Sequence, residues 1–122
     1  MKAMIDLNAF QNLRLQGGFR IVRLEITHEP ITDAIGREAV ARTRIVGLDF
    51  DLLIRAGLSQ RELSVTLYHE ILEAATVAVE NPPAAVRELN EGDFNRAAYQ
   101  AHEQFGEVSP QNLDRMLQLY GF

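Results

Sequence analysis

The run from Leu63 to Val79 constrains this chain more than any other stretch. Read at 3.6 residues per turn, one side of it carries Leu63, Leu67, Ile71, Ala74 and Ala78. The other carries Val65, Leu72 and Val77, with Thr66 and Thr76 among them. A helix that is apolar on both sides belongs at the centre of a fold, packed on more than one neighbour. Its limits are marked as well. Ser59 and Glu62 have the three-residue spacing of a capping box, and Pro82-Pro83 stops the helix. The expected helix covers about residues 60–80. Inside the run the only acidic residues are Glu70 and Glu73. A carboxylate in such a place needs a proton, a partner or a metal, because an unpaired buried charge is very costly.

Before the helix the pattern is that of strands. Val22, Leu24 and Ile26 alternate with Arg23, Glu25 and Thr27, and Ala41, Thr43 and Ile45 alternate with Arg42 and Arg44. These two stretches, about 20–27 and 39–46, are expected to pair as an antiparallel hairpin, with Arg42 and Arg44 on a solvated face. Leu48 to Leu53 either extends the second strand or turns into a short helix. Residues 1 to 18 are harder to read: Met4, Ile5 and Leu7 suit a short strand or a helix start. After Pro83, a turn or two of helix is expected from Ala84 to Leu89. Asp93 offers an N-cap for a helix from Phe94 to Phe105, and Ser109-Pro110 opens a last one near 110–120. Strands first and helices after make an α+β domain: a small antiparallel sheet packed on the central helix, followed by shorter helices.

The 122 residues suit a single domain, residues 1–122, with 47% hydrophobic and 24% charged residues. A net charge of -5 argues against a nucleic-acid backbone as partner. There is no cysteine, so disulfides and thiolate metal sites are excluded. The amino terminus has Lys2 but no long apolar run, and no stretch suits a membrane span. A cytoplasmic location is the expectation.

The chemistry gathers on the central helix. His69-Glu70-Ile71-Leu72-Glu73 has the spacing of His-Glu-x-x-His, the helical zinc motif, with Glu in the last position. Carboxylate oxygen is also an accepted zinc ligand, so His69 and Glu73 can hold one metal from adjacent turns. Glu70, about a quarter turn away, is placed as general base toward a metal-activated water. Taken alone, the His69/Glu73 spacing is also that of an ordinary helical i,i+4 pair. A metal site needs a third donor from another element. The chain has three histidines, His28, His69 and His102. His28 sits at a strand end before Pro30 and reads as surface. His102 lies on the apolar side of its helix beside the small Ala98 and Ala101, and is the expected third ligand. Tyr99, one turn before it, is either core or a hydrogen-bond donor to a reacting oxyanion.

A strand hairpin, then Leu67-Tyr68-His69-Glu70-Ile71-Leu72-Glu73-Ala74 on a central helix, then a downstream ligand helix resembles the small zincin-like metallopeptidases, the minimal gluzincins. The architectural likeness covers about residues 19 to 105, and the motif covers residues 66 to 74. The resemblance implies zinc, with His69 as a ligand, Glu70 as general base and a third ligand on a downstream helix. In gluzincins that ligand is Glu. An edge strand that binds extended peptide by β-augmentation would complete such an enzyme.

Two functions follow as expectations. The first is a small metal-dependent hydrolase, a zinc peptidase acting on peptide or protein. Nickel, cobalt and iron also accept a His/Glu ligand set. The second is an inactive zincin-like protein serving as a binding or regulatory module.

Overall fold

The computed structural model describes residues 4–122. Residues 1–3, with the Lys2 read above, lie outside the described residues. The described residues form an α+β fold, with a four-stranded sheet, a separate two-stranded ribbon and four α-helices. The strands are β1 (Leu13–Arg14), β2 (Arg20–Thr27), β3 (Ile31–Thr32), β4 (Glu38–Ala39), β5 (Ala41–Val46) and β6 (Asp49–Arg55). The helices are α1 (Gln60–Ala78), α2 (Ala84–Arg87), α3 (Glu91–Phe105) and α4 (Pro110–Leu119). Met4 to Leu7 forms neither a strand nor an α-helix start: Asp6 caps a short 3-10 turn over Leu7–Phe10.

The sheet order is β1-β2-β6-β5, and it corrects the expected antiparallel hairpin. The stretches 20–27 and 41–46 do not pair with each other. Both pair with β6, β2 in parallel and β5 antiparallel, so the sheet is mixed. The reason lies in residues 47–55. Gly47, at φ 63°, supplies the positive dihedral that a two-residue hairpin turn needs. Beyond it Phe50, Leu52 and Ile54 alternate with Asp49, Asp51 and Leu53, which makes a central strand with one buried face. β5 is left as the edge of the sheet. Ala41, Thr43 and Ile45 face inward, while Arg42 and Arg44 are exposed as expected.

α1 packs on β5, α3 and α4, as its two apolar sides require. Leu67, Tyr68, Ile71, Leu72 and Ala75 are fully buried. The capping box is formed, with the Glu62 N–H donating to Ser59 Oγ and the Ser59 N–H donating to Glu62 Oε1. α4 begins at Ser109-Pro110 as expected. α3 begins three residues earlier than Phe94. Its cap is Asn90, whose Oδ1 accepts from the Asp93 N–H at 2.9 Å, while Asp93 Oδ2 accepts from the Asn90 N–H at 3.1 Å. Asp93 is therefore the third residue of the helix, and Glu91 is the first.

α1 and α3 run antiparallel, and their register positions everything that follows. Arg61 meets Glu103 at 2.9 Å, Ser64 meets His102, and the His69 ring lies 6.4 Å from that of Phe94. Partners thus descend along α3 as they ascend along α1. Among the described residues no helix is long and apolar enough to cross a membrane.

Candidate metal centre

His69, Glu70 and Glu73 each bring a donor atom to within 4.8 Å of the others. Helical spacing accounts for this: residues four apart share a face, and Glu70 flanks it. The third element contributes Glu91. From the first turn of α3, its Oε1 stands 3.1 Å from His69 Nε2, and Glu73 Oε2 stands 3.5 Å from the same nitrogen. Despite these distances His69 Nε2 is buried and makes no hydrogen bond among the described residues, so neither carboxylate approaches it along a productive N–H direction. His69 Nε2 thus stands between two carboxylate oxygens without bonding to either. Ligand atoms about 2.0–2.2 Å from a tetrahedral zinc stand about 3.3–3.6 Å apart. The 3.5 Å separation falls in that range and the 3.1 Å one lies just below it.

His102 is not in this group, which corrects its expected role. Its Nδ1 lies 2.8 Å from Ser64 Oγ. Ser64 is fully buried, and its Oγ accepts from the Val108 N–H at 2.9 Å, which leaves the hydroxyl hydrogen free to donate to His102. The antiparallel register explains the error. The residue of α3 that faces His69 must lie near its start, whereas His102 is eleven residues past Glu91, about 16 Å farther along the helix axis. His102 joins α1, α3 and the segment before α4 instead. Close by, the Tyr68 hydroxyl donates to Gly106 O at 2.9 Å, and burial pushes that phenol up to about 12.

Glu70 points to the sheet. Its Oε1 accepts from the Thr43 hydroxyl at 2.8 Å, across from α1 to β5. Burial raises its carboxyl above the usual range, Glu73 adds to this, and Thr43 and His69 act against it. This engages one oxygen of Glu70 and leaves Oε2 as its available donor atom. Glu73 is held low chiefly by the His69 imidazole, while the neighbouring Glu73 pushes Glu91 up. For His69, burial works to lower the imidazole, but Glu73, Glu70 and Glu91 together outweigh it and the net shift is upward. His69, Glu70 and Glu91 are thus all shifted toward holding their protons, while Glu73 is shifted the other way. A divalent metal would satisfy the same groups.

A cleft of about 390 Å³ opens beside these residues. It is lined by His69, Glu70 and Glu91, by the apolar Leu58 and Val65, and by Val40 and the first edge-strand residue Ala41. Tyr99 also lines it, 44% exposed and stacked under Arg61, so it is not a core residue. His28 is exposed, as expected. Two residues escaped the sequence reading. Glu91 was hidden by the choice of Asp93 as N-cap, although Asn90-x-x-Asp93 is itself a capping pattern. Thr43 carried no signal beyond facing inward on its strand.

No family model, no curated protein and no solved structure matches the chain. The zincin likeness rests on its own residues alone.

Proposed function

We propose that this chain is a small metal-dependent hydrolase of the zincin kind, acting on extended peptide, with His69, Glu73 and Glu91 as ligands and Glu70 as general base. The observation that carries the reading is the unpartnered, buried His69 Nε2 with carboxylate oxygens at 3.1 and 3.5 Å. A buried donor without a partner is costly, and a ligand role removes the cost. Held there, a divalent metal such as zinc would polarise the scissile carbonyl and lower the pKa of water. Glu70 accepts a proton from the attacking water and returns it to the leaving amine. The water oxygen ends on the acyl carbon as the C–N bond breaks. β5 is an edge strand whose first residue, Ala41, lines the cleft, so a peptide pairing with it would pass near Glu70. A chain without cysteine has no need of an oxidising compartment, and the proposal includes a cytoplasmic setting.

The test has two stages. Protein purified without a nickel column and equilibrated with zinc should hold about one metal per chain by mass spectrometry of the metal. A mixture of extended peptides should then be cleaved, and Glu70→Gln should keep the metal while losing about two to four orders of magnitude in rate. A chain that takes up no zinc sinks the proposal. Zinc bound with no peptide cleaved supports the binding-module alternative in its place.

A further inference from the structure

One contact to the candidate base comes from outside the helix that carries it. Thr43 lies on the edge strand β5, in register with Leu52 of β6, and its side chain faces α1. Its hydroxyl donates to Glu70 Oε1 at 2.8 Å in a partly buried setting. Among the described residues Glu70 makes no other side-chain hydrogen bond, so its Oε2 is the oxygen left without one. Glu70 also lines the cleft. A glutamate side chain has a broad terminal torsion, and nothing in a helix by itself fixes which oxygen faces outward. A single donor from the sheet does fix it.

We propose that Thr43 is a positioning residue for Glu70: it holds Oε1 against the sheet so that Oε2 alone accepts and returns the proton in the cleft. The inference rests on the hydrolase reading for its role, and on the strand-to-helix geometry for its content. A threonine hydroxyl can donate to Oε1 whether or not Oε2 carries a proton, since Oε1 remains an acceptor in both forms. The anchor therefore persists through both halves of the proton transfer. Because the anchor sits on the edge strand, one strand carries both the sheet edge and the contact that orients the base.

Thr43→Val removes the donor at nearly constant shape and suits a strand, so the fold should hold. Thr43→Ser keeps the donor. The first measurement needs no turnover. With glutamate labelled by ¹³C at the carboxyl carbon, and the Glu70 signal assigned through Glu70→Gln, the full chain is compared with and without zinc. Thr43→Val should move the Glu70 signal, and Thr43→Ser should leave it close to the wild-type position. The second is kinetic. On a cleaved peptide Thr43→Val should lower kcat by about tenfold to a hundredfold, the share of a hydrogen bond to a charged group. KM should stay within about twofold and zinc content should not change, with Thr43→Ser near wild type. A Glu70 signal unmoved by Thr43→Val, or a wild-type kcat in that variant, overturns the inference. If the wild type cleaves no peptide, the hydrolase reading fails by itself, and the carboxyl signal still decides whether Thr43 orients Glu70.

Discussion

Replacing Glu91 by Gln should abolish most of the stabilisation that zinc gives this protein, and replacing His102 by Ala should not. Metal that binds only the folded chain stabilises it by RT ln(1 + [L]/Kd), which is about 2.7 kcal/mol at a free zinc concentration of 100 Kd. With about 2.1 cal/mol/K per residue, the 122 residues have an unfolding entropy of about 0.26 kcal/mol/K. Zinc should thus raise Tm by about 10 °C. Loss of an outer-shell partner already weakens metal binding by about 10- to 100-fold, so loss of a direct ligand should cost about 100-fold or more. At the same zinc concentration Glu91→Gln then gains only about 0.4 kcal/mol, or about 1.5 °C. The metal-free Glu91→Gln protein should be no less stable than wild type, since Glu91 stands against the Glu73 carboxylate. His102→Ala should start from a lower Tm, because the Ser64 hydroxyl loses its acceptor, yet keep the full zinc shift. Differential scanning fluorimetry in a zinc buffer reads all three. A full zinc shift in Glu91→Gln, or its loss in His102→Ala, would refute the assignment made from the antiparallel register.

Two further outcomes follow from the same geometry. Ser64→Ala deletes two hydrogen bonds and strands the Val108 N–H in the core, a loss of about 2–3 kcal/mol. Thermal unfolding should show a Tm lower by about 8–12 °C with zinc stoichiometry unchanged; a shift of less than a few degrees would mean that the network contributes little. The metal-free protein should also lose stability with rising pH through His69. Its folded imidazole titrates above the ordinary 6.5, so its stabilisation is complete below that value and disappears as pH rises through the folded value. Tm measured from about pH 5.5 to 8.5 should fall less in His69→Gln than in wild type, and parallel curves would contradict the assignment.

Much of the architecture was legible in local sequence. α1 was readable end to end, because the Ser59/Glu62 box, the double apolar stripe and Pro82-Pro83 all act within one element. The inward alternation of β5 was equally plain; in β2 it held for Leu24, while an irregularity at Val22 puts Ile21 rather than Val22 into the core. Pairing was not plain. Alternation says which face of a strand is buried but not which strand lies beside it, and β6 took the central place between two strands that seemed made for each other.

The candidate site divides along the same line. The convergence of His69 and Glu73 was determined by sequence alone, since four residues on a helix return to one face whatever surrounds it. So was the demand for a partner, since carboxylates in an apolar run cannot remain unpaired. Which group answers that demand was decided by tertiary structure. His102 and Glu91 lie on one helix, and only the antiparallel register against α1 brings Glu91 to His69 and carries His102 away to Ser64. Thr43 reaches Glu70 for a similar reason, because β5 packs on α1 from the edge of the sheet. Spacing along a chain fixes neighbours within an element, whereas neighbours between elements depend on the packing of whole faces, which no short stretch encodes.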